Sequence, residues 1–214
     1  MKRGSKRPFT KSERKRIAVH EAGHALAALK MGINFGKASV KRSAHSGELA
    51  GSVDTFGTQR VRALMFDRSK GGYTLEAARR VHVERDAIVS FAGAIAEALV
   101  LGGWRVDSIA YDLSQARETL AAYYAPAAIP QVEMRLKLRT ARMLDRRLVD
   151  ILMLAGELLK HNELTKIEIQ KLLRKPRGLN MLSDTHDKQF FKLIAAKLTL
   201  DPVPLTPPSI GKVI

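Results

Sequence analysis

The pattern H-E-x-x-H occupies residues 20–24, inside the clearest helix signal of the chain. Before it, Thr10 and Glu13 have the spacing of a capping box, in which a hydroxyl and a carboxylate satisfy each other's free backbone amides at a helix start. Apolar residues then recur at helical intervals until Gly32, a residue type that ends helices. Residues four apart share one face of a helix, so the two imidazoles of the pattern are expected to lie side by side.

Two histidines at this spacing predict a metal site. His20 and His24 lie one turn apart and can reach the same ion. Glu21 comes directly after the first histidine, where its carboxylate reaches a water molecule on the metal rather than the metal itself. Zinc lowers the pKa of such a water to about 7, and a neighbouring carboxylate can take its proton during attack on a carbonyl group. The alternative is a surface helix with two incidental histidines.

The third ligand is not decided by spacing. A catalytic zinc site has three protein ligands and an open fourth position. Because the chain contains no cysteine, the third ligand must be His, Asp or Glu. Glu97 on the second predicted helix and Asp112 at the start of the third are the serious candidates, while His45 and His82 have no positional argument.

Composition excludes several classes of protein. Without cysteine, the chain cannot be a disulfide scaffold, a thiolate zinc finger, an iron–sulfur protein or an enzyme with a cysteine nucleophile. A hydrophobic fraction of 45% argues against wholesale disorder. No stretch reaches the roughly 18 apolar residues of a membrane span, and no signal peptide is recognisable. We therefore expect a soluble, cytoplasmic protein without a transmembrane segment.

The positive charge is concentrated at the start of the chain. The formal net charge is +16, and eight of the first 16 residues are basic against Glu13 alone. Such an arm is suited to contact nucleic acid, an anionic surface or an acidic partner. No aromatic residues alternate with these charges and no nucleic-acid-binding motif is present, so a solvated terminus is the simpler interpretation.

The periodicity along the chain predicts a mainly α protein with a small β-sheet. One or two short strands are expected within residues 37–58, where glycines separate short alternating stretches. Thr165 and Glu168 repeat the capping-box spacing. The predicted helices are the one that follows Thr10, then residues 76–101, 112–124, a long fourth ending near 160, a short fifth ending at 173, and 187–198.

Three separated stretches of the chain carry a resemblance to a known family. They are IAVHEAGHAL at residues 17–26, IVSFAGAIAE at residues 88–97 and YDLSQA at 111–116. Together they resemble the peptidase domain of the FtsH-type membrane-anchored, ATP-dependent zinc metalloproteases. The first stretch is close to the metal-binding helix of that family, and the third resembles its Asn-Asp-Leu-x-x-Ala motif. With a weaker match at 144–173, the resemblance covers roughly residues 13–175 in the order of the family.

The resemblance implies a zincin-like FtsH-type fold and a zinc-dependent endopeptidase. It implies His20, His24 and Asp112 as zinc ligands and Glu21 as the general base. It prefers Asp112 over Glu97, which then becomes a buried carboxylate behind the ligands or between helices. It also implies a polypeptide substrate, a homo-oligomer, and a separate ATPase partner where folded proteins are to be cleaved.

On this basis the expected domains are a basic flexible arm at residues 1–12, a zinc metallopeptidase-like domain at 13–200 and a proline-rich tail at 201–214. The chain departs from the family pattern because it has no ATPase module and because Tyr111 replaces the usual Asn. The rival interpretation is therefore a weak or inactive module that acts in protein or nucleic-acid interaction. The short strand at residues 38–41 either binds substrate by edge pairing, as in the family, or only closes the sheet.

Overall fold

The computed structural model describes residues 10–42, 49–55, 73–103 and 106–174. The chain divides into two compact units, Met1–Arg177 and Gly178–Ile214, and every described residue belongs to the first. The first nine residues of the predicted arm, the helix expected at 187–198 and the proline-rich tail lie outside the described residues.

The protein is mainly helical with a small antiparallel sheet, as predicted. A 3-10 turn at Pro126–Ala128 precedes the fourth helix. Among the described residues, no helix combines the length and the apolar character that a membrane span requires. The elements of the described chain are, in order, α1 (Lys11–Met31), β1 (Phe35–Arg42), β2 (Leu49–Thr55), α2 (Tyr73–Leu101), α3 (Val106–Ala121), α4 (Ile129–Asp145), α5 (Leu148–His161), β3 (Glu163–Thr165) and α6 (Lys166–Arg174).

Helix α1 begins and ends at the predicted signals. The Thr10 backbone N–H donates to Glu13 Oε2 at 2.8 Å, and the Glu13 N–H donates to Thr10 Oγ1 at 3.2 Å, which is the reciprocal capping box. Gly32 follows the helix with a φ of 69°, a left-handed conformation that glycine adopts without steric cost. The helix takes in Lys11 and Ser12, which the domain prediction assigned to the arm.

The middle of α1 is buried on all sides. Every residue from 18 to 28 is buried, because α2 packs along one side of the helix while α5 and the sheet contact the others. A Cβ on Gly23 would lie 2.6 Å from the Ala92 carbonyl oxygen, so glycine permits the close approach of α2. The H-E-x-x-H residues therefore lie in the interior, where polar side chains need bonding partners.

The prediction of one long fourth helix is wrong. The structure has two helices there, α4 and α5, and Arg147 between them leaves the helical conformation with φ −134° and ψ 22°. The two halves pack against different partners, α4 against α2 and α5 against α1, and one straight helix would not serve both. Neither glycine nor proline marks the break, so no local signal announced it.

Helix α3 begins earlier than predicted. It starts at Val106 rather than at Asp112, which places Asp112 within its second turn. It ends at Ala121 rather than at Tyr124. The turn that α3 gains at its start contains no Gly or Pro, so no helix-breaking residue separates it from the rest of the helix.

Strand β1 is central in the sheet, whose order is β2-β1-β3 with both pairings antiparallel. Ala38 pairs with Val53 on one side and with Leu164 on the other. The expectation of one or two short strands within residues 37–58 is confirmed with two strands, although β1 begins slightly earlier, at Phe35. Edge pairing of substrate is wrong for Ala38 and Ser39, because β2 and β3 occupy both edges of β1 there. For the rest of the predicted stretch at residues 38–41 it stays a prediction.

The second capping box is also confirmed. The Thr165 N–H donates to Glu168 Oε2 at 2.7 Å and the Glu168 N–H donates to Thr165 Oγ1 at 3.3 Å, so α6 begins at Lys166.

Candidate metal centre

Three of the predicted site residues meet at the contact of α1 with α3. The Nε2 atoms of His20 and His24 lie 2.9 Å apart. Asp112 Oδ2 lies 2.9 Å from His20 Nε2 and 3.3 Å from His24 Nε2. This is a group of donor atoms that could hold a metal ion. His82 is an exposed residue of α2 outside the group, and His45 lies outside the described residues.

Hydrogen bonds at the Nδ1 atoms fix the orientation of the two imidazoles. The His20 Nδ1–H donates to Glu97 Oε1 at 2.8 Å, and the His24 Nδ1–H donates to the Val89 carbonyl oxygen at 2.7 Å. A carbonyl oxygen and a carboxylate oxygen only accept, so each Nδ1 carries its proton. Both Nε2 lone pairs therefore point into the group, in the arrangement usual for metal-binding histidines.

This arrangement fits a metal ion. Two nitrogen lone pairs and a carboxylate oxygen within about 3 Å of one another repel each other unless a cation lies between them. Glu21 Oε2 is moreover buried without a hydrogen-bond partner among the described residues. Two imidazoles and one carboxylate form a donor set that zinc accepts.

In the metal-free protein a proton takes the place of the cation. Burial lowers the pKa of His20, but its close carboxylate neighbours Asp112 and Glu97 outweigh burial and raise it from 6.5 to about 10. Burial alone would raise the pKa of Asp112. The two histidines outweigh burial and hold the pKa of this carboxyl group well below its usual range. A metal ion must therefore displace this proton when it binds.

We expect the metal-free protein to lose stability between pH 6.5 and pH 10. A pKa raised by folding contributes stability that is fully present below the unfolded value and lost as pH rises through the folded value, here about 10 for His20. Thermal unfolding in the presence of a chelator should show a falling melting temperature across this range. His20→Gln should flatten the decline, whereas His82→Gln, at an exposed position on α2, should keep it. A melting temperature that rises across the range would contradict this assignment.

Glu21 lies beside the group without belonging to it. The residue is 5% exposed, and burial raises the pKa of its carboxyl group despite the two nearby histidines. A carboxylate of raised pKa is a stronger base, and Oε2 is free of hydrogen bonds to other described residues. Glu21 can therefore take a proton from a molecule that enters the group.

Glu97 lies behind His20 rather than among the three converging residues. It is 1% exposed and its Oε2 accepts from an Arg16 guanidinium N–H at 2.9 Å. Arg16 also donates to the Gly103 carbonyl oxygen at 3.0 Å, which ties the start of α1 to the end of α2. The charge pattern groups Arg16 with the basic arm and does not predict this contact. Its spacing of four residues from His20, on the same helix face, was the signal available.

The position of Gly93 against the two imidazoles is a second feature that the sequence does not predict. A Cβ at this position of α2 would lie 2.5 Å from the Nε2 atoms of both His20 and His24. The two imidazoles thus occupy space that the side chain of any larger residue would fill. The only sequence signal was a glycine inside a strong helix pattern, which often marks a close packing contact.

We expect Gly93→Ala to lower zinc affinity by at least about tenfold, since changes just outside a metal site typically cost about 10–100-fold. The added methyl group must push the two imidazoles away from their present positions. Overpacking should also lower the free energy of unfolding by about 1–3 kcal/mol. Chelator competition and urea unfolding measure the two effects.

Gly156→Ala is the matched control, because a Cβ at that position of α5 meets no atom within 4 Å. It should leave zinc affinity unchanged and raise stability slightly. Equal zinc affinity in the two variants would refute the role of Gly93.

Comparison with protein-family models and with curated proteins finds no relative of this chain. The motif and the geometry of the chain itself must therefore support any assignment of function.

Proposed function

We propose that this protein is a zinc-dependent endopeptidase with the zincin-like fold of the FtsH-type peptidase domain. The observation that carries the proposal is the convergence of His20 Nε2, His24 Nε2 and Asp112 Oδ2. The buried Glu21 carboxylate lies close enough to interact electrostatically with all three. The order of the stretches at 17–26, 88–97 and 111–116 supports the same family.

In this proposal His20, His24 and Asp112 hold the metal. Zinc, when bound, supplies Lewis-acid activation of the scissile carbonyl group and of a water molecule. Glu21 accepts a proton from the attacking water and passes it to the leaving amine nitrogen as the C–N bond breaks. Glu97 and Arg16 keep the ring of His20 in its orientation, and the Val89 carbonyl does the same for His24.

The burial of the centre favours flexible substrates. His20, Glu21 and His24 are between 5% and 9% exposed, so a flexible chain can reach them more readily than the surface of a folded protein can. We therefore propose unfolded polypeptides or peptides as substrates. A cytoplasmic location, a separate ATPase partner and a homo-oligomer stay predictions from the sequence and the resemblance.

Removal of the metal tests the proposal. The purified protein loaded with one equivalent of zinc should degrade casein or another unfolded protein. A zinc chelator such as phenanthroline should abolish the cleavage, and added zinc should restore it, because Glu21 alone does not activate water sufficiently at neutral pH. Cleavage that is insensitive to the chelator would exclude a metallopeptidase. One equivalent of firmly held zinc with no cleavage would favour the non-catalytic module.

A further inference from the structure

A cavity lies along α4, apart from the metal centre. It has a volume of about 840 Å³, and none of its lining residues belongs to the metal centre. We call it the basic groove and define it by three arginines and three apolar residues. These are Arg139, Arg142, Arg146, Met134, Leu138 and Met143.

The arginines of the basic groove form a row. With Arg135 they follow one another at intervals of four, three and four residues, so all of them share one helix face over about 16 Å. All are exposed. Arg135 pairs with Glu84 of α2, but Arg139, Arg142 and Arg146 have no ion-pair partner among the described residues.

Such a row of arginines is unfavourable for helix α4 as long as no anionic ligand is bound. Like charges three or four residues apart repel one another and destabilise the helix that carries them. A ligand with negative charges at matching intervals would remove this repulsion. The guanidinium groups also offer paired N–H donors that match a carboxylate in a bidentate manner.

Apolar side chains line the same groove. Met134, Leu138 and Met143 are half-buried beside the arginines. Methionine is flexible and adapts to apolar groups of different shapes. The groove thus offers an apolar surface and a row of cations to the same ligand.

We propose that the basic groove binds an acidic polypeptide segment in which apolar side chains alternate with carboxylates. Its described lining contains no aromatic residue on which a nucleic-acid base could stack. Its apolar residues are half-buried within a cavity, which suits an inserted side chain better than a flat lipid surface. The proposal is independent of the peptidase activity.

Binding of a defined peptide tests the proposal. The probe is a fluorescein-labelled peptide of Glu-Leu-Glu repeats, about 12 residues long, which spans the row in helical or extended form. Fluorescence anisotropy is measured on the Glu21→Gln protein, so that the probe is not cleaved. The double variant Arg139→Gln with Arg142→Gln should bind about tenfold more weakly, since each exposed ion pair accounts for up to about a fivefold change.

The control variant removes the same charge elsewhere. Arg85→Gln with Arg174→Gln changes two exposed arginines outside the groove and should change the affinity by less than about twofold. Equal weakening in both double variants would overturn the proposal, because the attraction would then come from net charge alone. Circular dichroism should show the same helix content for both.

Changes to the probe peptide test separately the roles of its carboxylates and of its apolar side chains. Gln-Leu-Gln repeats should bind weakly without the carboxylates, and Glu-Ser-Glu repeats should bind more weakly without the apolar side chains. Undiminished binding of either peptide would contradict the proposal. Oligothymidylate or phosphatidylglycerol vesicles that bind more tightly than the peptide, with the same dependence on Arg139 and Arg142, would replace it with a nucleic-acid or a membrane site.

Discussion

Glu21→Gln is expected to lower the rate of peptide hydrolysis by about 10²–10⁴-fold while one equivalent of zinc stays bound. Glutamine has nearly the shape of glutamate but does not accept the proton of the attacking water. Glu21 lies outside the three converging side chains, so metal binding should survive. Cleavage of a fluorogenic peptide and elemental analysis of the purified variant measure the two properties.

The control for this variant is Glu118→Gln, an exposed glutamate of α3. It removes the same charge and should leave hydrolysis unchanged. Glu21→Gln protein that retains more than about a tenth of the wild-type rate would contradict the role of general base. Loss of zinc together with activity would instead assign Glu21 to metal binding.

Asp112→Asn is expected to weaken zinc binding by about a hundredfold or more, whereas Glu97→Gln should weaken it less. Asparagine keeps the shape of aspartate but lacks the anionic oxygen that lies 2.9 Å from His20 Nε2. Glu97 acts on the metal only through the orientation of His20, and such supporting contacts account for about 10–100-fold in affinity. Competition with a chromophoric chelator measures both affinities.

This comparison separates the two carboxylates that spacing alone left open. If Glu97→Gln lost zinc more completely than Asp112→Asn, Glu97 would be the third ligand. Glu118→Gln again serves as the control and should bind zinc like the wild type, because its carboxylate lies outside the group.

Local signals in the sequence determined much of the described fold. The hydroxyl and carboxylate at Thr10 and Glu13 predicted the start of α1, and Gly32 predicted its end. The same spacing at Thr165 predicted the start of α6. These predictions succeed because capping bonds join residues three apart, whose geometry is set by the helix itself. For the same reason, the side-by-side position of His20 and His24 follows from their spacing.

Only the tertiary structure decided which distant groups meet these histidines. Glu97 and Asp112 both lie on helices that pack near α1, and the relative placement of the helices puts Asp112 beside Nε2 and Glu97 beside Nδ1 of His20. The break between α4 and α5 and the clearance at Gly93 also depend on which helices pack together. Helical periodicity fixes positions along one element, whereas contacts between elements depend on how side chains from the whole chain fill the interior.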